Sequence, residues 1–278
     1  MISIVCTYHN RKSQFITTLN TIKFQIESSG LEDVEVVCVN HNSNEEGSID
    51  DLPEVFSFLK VINLNTNTKN PCIPYNVGFS NAIGDKIIIQ NSECCHIGNI
   101  IQKTSESLKE DNYLSFACFS ADFTTSDLIK SILTQCNECS VEDVKNKVYS
   151  LPQTGPAFLS NSWYNHSRFS PRNLHFTTAI TKNNLDKLKG FDERYSIGMD
   201  YDDDDFIMRV NRLNLKIVNI DDPFSVHLYH PSSYNNFVID GKTYSPNDLR
   251  MINLNVFNKA RGESLVTDDR DWETDRLY

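Results

Sequence analysis

The stretch ISIVCTYHNRKSQFITTLNTIKFQIESSGLEDVEVVCVNHNS, residues 2–43, sets two periodicities side by side. ISIVC (2–6) is a short, mainly apolar run that ends in the polar TYHNRK. It reads as a buried strand. Phe15, Ile16, Leu19, Ile22 and Ile26 then recur at three- and four-residue steps, the apolar stripe of a helix. VEVVCVN (34–40) is a second buried strand, stopped by the turn-rich HNSNEEGS. Strand, helix and strand in this order predict a parallel sheet with helices on both faces.

The alternation continues. VINLN (61–65) is a third strand, followed by the loop NTNTKNP. PYNVGFSNAIG (74–84) reads as a short helix closed by Gly84, and KIIIQ (86–90) as a fourth strand ending in NSECCH. In such sheets ligands sit beyond the carboxyl ends of the strands. The polar ends TYHNR, NHNS and NSE are therefore expected to converge on one crevice. Further on, residues 100–150 carry two helical patterns joined by a strand, LSFACFS (114–120). GPAFLSNSWYNHSRF (155–169) is loop-rich and aromatic, and LHFTTAITKNNLDKL (174–188) is a strand running into a helix. LKIVNI (215–220) is a late strand, with VHLYHP (226–231) after it. Composition turns polar from about 241, and 264–278 reads as a loosely attached tail.

With 278 residues, 39% apolar and 23% charged, the chain has material for one large α/β domain or two small ones. A net charge of −11 argues against nucleic acid or an anionic membrane as the main partner. A small anionic ligand would need a local pocket of arginine, backbone N–H groups or a metal ion. No segment approaches the roughly 18–20 apolar residues that span a bilayer. Arg11 and Lys12 follow the first apolar run rather than precede it, so no signal peptide is expected and the location is read as cytoplasmic. Several of the eight cysteines lie in strand-like runs, as buried thiols in a reducing compartment do, with no disulfide framework. QCNEC (135–139) holds one CxxC without a second pair for zinc.

GFDERYSIGMDYDDDDFIMRV, residues 190–210, is the chemically loaded stretch. Phe206, Ile207, Val210 and Leu213 mark one face of a helix over 203–213, with Asp205 and Arg209 as a favourable i,i+4 pair. The helix then starts near Asp202–Asp204, where carboxylates are tolerated and one can cap. Capping accounts for two or three acids, not for four in a row with Asp192 and Asp200 nearby. A calcium loop fails, because Asp205 stands where glycine is required and Asn211 where the terminal glutamate belongs. The remaining reading is chemical: a carboxylate held at a helix start can take the proton of an attacking hydroxyl.

The same stretch resembles the acceptor-side motif of inverting glycosyltransferases with the GT-A fold: Gly-Phe-Asp-Glu, an aromatic, then Asp-Asp-x-Asp before an aromatic. SIVCTYHNR (3–11) resembles the opening strand and nucleotide loop of family-2-type enzymes. VVCVNHNS (36–43) stands where that family has Val-Asp-Asp-Gly-Ser. YNVGFSNAIGDKIIIQNSE (75–93) resembles its Asn-x-Gly, Gly-Asp and strand ending in Asp-x-Asp, and VHLYHP supplies the late histidine. The match runs in family order over roughly 1–231. It implies a mostly parallel, Rossmann-like central sheet flanked by helices in a single main domain, 1–240. Residues 1–99 would be the nucleotide-sugar half, 100–240 the acceptor and catalytic half, and 241–278 a C-terminal extension. Two departures stand out. The Asp-x-Asp is Asn91-Ser92-Glu93, which keeps only the later acid, and the uridine-contacting Asp is replaced by Asn40 or His41.

By this resemblance the substrate is a nucleotide-sugar, UDP-linked, and the acceptor a hydroxyl of a glycan or glycoprotein. Thr7, Tyr8, Asn10 and Arg11 would line base and ribose, with Asn40 and Asn42 opposite. Asn76 would reach the diphosphate or ribose, and Asn91 would stand on the donor side. Mn²⁺ or Mg²⁺ would be held by Glu93 and His230, with His227 the alternative to His230. Asp203 would be the general base and Asp202 would orient the acceptor. Trp163 and Tyr164 are either a platform for a sugar ring or core. His9, His41, His96 and His175 read as polar-loop or packing residues, although His96, three residues from Glu93, could add a metal contact. A nucleotidyltransferase is disfavoured by the glycine-free loop TYHNRKSQ. A non-catalytic binder on a decayed transferase fold is the other alternative, favoured by the loss of an acid at Asn91. GxxxxGK, GxGxxG and GxSxG are absent.

Overall fold

The computed structural model describes residues 1–157, 160–231, 235–239 and 241–263. The first half alternates as its periodicity predicts: β1 (Ile2–Tyr8), α1 (Lys12–Ser29), β2 (Val34–His41), β3 (Leu59–Leu64), α2 (Cys72–Asn81) and β4 (Lys86–Asn91). Next come β5 (Cys94–Ile97), α3 (Ile100–Ser107), β6 (Asn112–Ser120), α4 (Phe123–Ile132) and α5 (Glu138–Ser150). The remainder is β7 (Ser162–Asn165), β8 (Thr177–Thr181), α6 (Lys182–Leu188), α7 (Asp202–Arg212), β9 (Lys216–His227), β10 (Phe237–Ile239), β11 (Lys242–Tyr244) and α8 (Pro246–Ala260).

The main sheet has the order β3-β2-β1-β4-β8-β6-β9-β5, with β7 also on β6. β1 to β4 are mutually parallel, and β6 and β9 run the same way, while β5, β7 and β8 oppose them. β1 is buried on both faces because its residues alternate between two cores. Ile4, Cys6 and Tyr8 pack with Phe15, Leu19 and Ile22 of α1 and Ile100 of α3. Val5 joins the opposite core with Tyr75 and Phe79 of α2 and Phe206 and Val210 of α7. Each fully buried apolar side chain of this size contributes roughly 1.5–3 kcal/mol.

Some elements depart from the sequence reading. Residues 100–150 form three helices rather than two, because 123–150 breaks into α4 and α5. α2 ends at Asn81 with Ala82 extended, so Gly84 does not close it. Gly84 instead lies against β1: its N–H donates to Ser3 Oγ at 2.8 Å, and a Cβ there would sit 2.7 Å from Ser3 N. The late strand runs on from 220 to His227 as β9, through Asp221, Asp222 and Pro223. Residues 216–220 pair with β6; after a register shift, 225–227 pair with β6 on one side and β5 on the other.

α8 begins at a capping box formed by Ser245 and Asp248. Its Asn253 side chain donates to Tyr195 O at 3.1 Å and Asp200 O at 2.9 Å, tying it to the loop before α7. The tail expected over 264–278 lies outside the described residues. All eight cysteines are free thiols, and Cys139 is exposed; no metal-ligating group among the described residues includes Cys136 or Cys139. No helix among the described residues is long and apolar enough to cross a membrane.

Candidate active site

Parallel pairing brings strand ends together. Tyr8 is in register with Asn40, and Thr7 with Asn91. Beyond this edge opens a cleft of about 780 Å³. Thr7, Tyr8, Asn10, Arg11, Asn42, Asn91 and Glu93 line it, together with His227 and His230 from the far end of the chain. Nine of the predicted site positions therefore meet in one cavity. Tyr8 donates its hydroxyl to Gly47 O at 2.7 Å, and burial pushes its pKa up to about 12. Asn10 takes φ 50° and accepts the Asn44 N–H at 3.0 Å, bracing the turn after β1 against that after β2.

Asn40 and Asn76 are not in that lining. Asn40 is buried and gives its amide to Asn63 Oδ1 at 2.8 Å; His41, the other candidate at that place, lines the cleft. Asn76 holds the GFDE segment to α2: Nδ2 donates to Phe191 O and to Glu193 Oε1, both at 2.9 Å, and Oδ1 accepts the Phe191 N–H at 2.8 Å.

Glu93, between β4 and β5, is the electrostatic centre. It is 0% exposed. His227 reaches it because β9 places His227 opposite Cys94, and the Leu228 N–H donates to Glu93 O at 3.0 Å. Glu93 Oε1 lies 2.6 Å from Arg11 Nη1, 3.1 Å from His227 Nε2 and 3.4 Å from His230 Nε2. Burial alone would raise this carboxyl. Arg11, His227 and His230 outweigh it and hold Glu93 well below the usual carboxylate range. Burial lowers the His227 pKa despite Glu93, which favours the neutral imidazole a metal requires.

A divalent cation fits these donors. One carboxylate oxygen and two imidazole nitrogens lie within 4.8 Å of one another, all buried. His230 Nδ1 is 2.8 Å from Pro231 O. Donation from Nδ1 there directs Nε2 toward Glu93 Oε1, where an added cation could be shared by the two. Oxygen with imidazole suits Mn²⁺. Both late histidines reach Glu93, whereas His96 does not. It is turned into the core with Nε2 2.6 Å from Gln90 Oε1, and burial lowers its pKa to about 3.

The acidic stretch forms the first turn of α7. Tyr201 precedes it in the left-handed region, φ 68°, and no side chain caps the helix. Asp205 pairs with Arg209 at 2.7 Å, and Arg209 Nη1 donates to Leu188 O and Gly190 O, so this pair is structural as expected. Asp203 Oδ1 accepts the His175 backbone N–H at 2.9 Å and is in close contact with the His175 imidazole Nδ1. Burial would raise Asp203, but His175 outweighs it and lowers the carboxyl below its ordinary value. Asp202 accepts the Asn70 amide at 2.8 Å; burial and the Asp203 charge push it up to about 6.

Asp202 and Asp203 do not line the Glu93 cleft; they stand behind one of its walls. Asn70, which holds Asp202, lies between the lining residues Lys69 and Pro71. Tyr75 OH is 3.0 Å from Asn91 Oδ1, and its ring meets His175 edge-on at 5.2 Å. Sequence reading gave His175 no functional role, since nothing local marks it as the counter-charge of Asp203. Trp163 and Tyr164 face opposite sides of their strand, and both are buried in core clusters, Tyr164 also lining the cleft. Trp163 packs on Phe119 and Phe224 in the core. Tyr164 stacks on Phe176 with centroids 4.0 Å apart, and both line the cleft.

No protein-family model matches the sequence, and no curated protein matches it by sequence. Solved structures match the backbone. S. aureus TarS 1-349 in complex with UDP-GlcNAc has a TM-score of 0.57 at 16% identity, covering 84% of this chain and 59% of that one. Mannosyltransferase PcManGT from Pyrobaculum calidifontis in complex with GDP-Man and Mn²⁺ has a TM-score of 0.52 at 12% identity, covering 84% and 58%. GalNAc-T7 with UDP, GalNAc and Mn²⁺ has a TM-score of 0.51 at 12% identity, covering 87% and 44%. The chain spans less than two thirds of the length of each. At these identities the likeness is one of fold: the α/β, mostly parallel, helix-flanked sheet of the GT-A type expected from the sequence.

Proposed function

We propose that the chain is a metal-dependent, inverting glycosyltransferase of the family-2 type. It would move a hexosyl or N-acetylhexosaminyl group from a nucleotide-sugar, UDP-linked, to a hydroxyl of a glycan or glycoprotein. The observation that carries this reading is buried Glu93, ionised and faced by His227 and His230, on the wall of a cleft at the carboxyl ends of β1, β2 and β4.

Residues 1–99 are assigned the donor, 100–240 the acceptor and the chemistry, and 241–278 the role of an extension. Thr7, Tyr8, Asn10, Arg11, Asn42 and Asn91 contact the nucleotide-sugar. Asn40 and Asn76, given donor contacts by the resemblance, turn away from the cleft instead, Asn40 to Asn63 and Asn76 to Phe191 and Glu193. Glu93 and His230, with His227, hold Mn²⁺ or Mg²⁺. When bound, the cation supplies counter-charge for the diphosphate leaving group. Asp203, which lies outside the lining of the Glu93 cleft, is assigned by the resemblance the proton of the acceptor hydroxyl as its oxygen attacks the anomeric carbon, and Asp202, outside it too, the orientation of that acceptor.

The test is calorimetry with UDP and Mn²⁺ beside a panel of nucleotide-sugars scored for release of free UDP. Asp203→Asn is expected to bind UDP as the wild type does while turnover falls about 100-fold or more. Glu93→Gln is expected to weaken UDP and Mn²⁺ binding itself. Wild-type turnover in both variants overturns the proposal. UDP binding with no donor consumed, in the presence of acceptor glycans, assigns the chain instead as a binding module on this fold.

A further inference from the structure

We infer that His175 is the positioning residue of the Asp203 base: it fixes the carboxylate by one oxygen and supplies its counter-charge, so that the other oxygen meets the acceptor. This rests on the reading of Asp203 as base.

Three observations carry it. First, His175 holds Asp203 Oδ1 by one hydrogen bond, from its backbone, and sets its ring beside the same atom as a charge partner only, since Nδ1 makes no hydrogen bond there. Its backbone N–H donates to Oδ1 at 2.9 Å and its imidazole Nδ1 is in close contact with Oδ1. Second, the ring is clamped. Tyr75 meets it edge-on at 5.2 Å and Phe191 at 4.8 Å, so it cannot swing away without displacing the core between α2 and α7. Third, Asp203 Oδ2 has no hydrogen-bond partner among the described residues, and the side chain keeps 24% exposure. A carboxylate anchored by one oxygen, with no hydrogen bond to the other, is a geometry a general base can use.

The charge balance around Asp203 makes His175 decisive. Asp202 and Asp204 flank it on α7; His175 and Arg172 face it from the segment before β8, and Tyr113 from β6. Burial and two neighbouring carboxylates all favour the protonated acid, which cannot act as a base. The imidazolium is the nearest opposing charge. Burial alone would lower His175, but Asp203 outweighs it and raises the imidazole pKa above its ordinary value. Each partner therefore keeps the other charged.

A merely structural tie would lower stability when cut but would leave the pH dependence of turnover in place. The experiment compares His175→Asn, which keeps an N–H donor near Nδ1 without charge, and His175→Phe, which keeps the ring packing alone. UDP release from UDP-GlcNAc and UDP-glucose is followed from pH 5 to 9 with Mn²⁺, alongside UDP calorimetry and an Asp203→Asn reference. Expected for His175→Phe is a fall in kcat of about tenfold or more, unchanged UDP affinity, and an acid limb moved to higher pH. His175→Asn should recover kcat in part but not the limb. Independently of turnover, the His175 ring resonance should titrate above its ordinary value in wild type and return downward in Asp203→Asn. Wild-type kcat and limb in the His175 variants, with Asp203→Asn inactive, overturn the inference. So does a His175 titration that Asp203→Asn does not move. An active Asp203→Asn overturns the base reading itself.

Discussion

Glu93 and Asp202 are both carboxylates, both buried, and they end with opposite charge preferences. Three nitrogens face Glu93 Oε1, and their combined pull exceeds the cost of burial. Asp202 has one amide donor and a carboxylate neighbour, so burial wins and its pKa rises to about 6. The sign for stability follows from linkage. An unfolded aspartate has a pKa of about 3.9. Between that value and about 6 the folded state holds a proton that the unfolded state has lost. Stability contributed by Asp202 is thus present below the unfolded value and is lost as pH rises through the folded one. Asp202→Asn keeps an acceptor for Asn70 and removes the charge. It is expected to raise the thermal midpoint at pH 8, by the equivalent of about 3 kcal/mol at most, and to leave it unchanged at pH 3. Paired thermal melts at the two pH values check this.

At the scale of elements, β1 to β4 were readable because each is a brief apolar run bounded by turn residues. α7 was readable because its apolar spacing and its Asp205–Arg209 pair are local. A glycine after a helical pattern ordinarily marks a cap, so the sequence predicts α2 to run up to Gly84, whereas it ends at Asn81. Gly84 is needed for another reason, the close approach of its backbone to β1, eighty residues away in sequence. Gly84→Ala is accordingly expected to destabilise by about 1–3 kcal/mol, where a capping role would have predicted a smaller cost. Urea unfolding with an unchanged slope but a lower midpoint would show it. Asp221, Asp222 and Pro223 interrupt the apolar run of β9, so the sequence predicts a strand that stops at 220. Ladders to β6 and β5 carry it past that interruption, and no propensity encodes them.

Across the whole molecule, the acceptor-side stretch is held in place from several distant segments. Asn76 of α2 grips Phe191 and Glu193, Arg209 grips Leu188 and Gly190, and Asn253 of α8 grips Tyr195 and Asp200. α8 leaves no room for a side chain at Gly198, whose Cβ would fall 2.1 Å from Asn253 Oδ1. Deleting 246–278 is therefore expected to loosen the 190–203 loop while leaving the Glu93 cleft formed. Limited proteolysis should find new cleavage near Gly198, and Asp203-dependent turnover should drop by a larger factor than UDP affinity.

Whereas the acid at Glu93 and the late histidines are singled out only by the family resemblance, the alternation of strand and helix and the pairing of Asp205 with Arg209 follow from residues close together in sequence. Periodicity and short spacings determine them, since a side chain's face on its own element depends only on that element's repeat. Tertiary structure alone decided that His227 and His230 meet Glu93, and that His175 meets Asp203 across 28 positions. It also decided that Asn40 and Asn76 turn inward, and that Tyr164 rather than Trp163 faces the cleft. Those outcomes rest on strand register and on the packing of one element against another. Both are settled by buried area and charge balance summed over the whole core, which no local window of sequence contains.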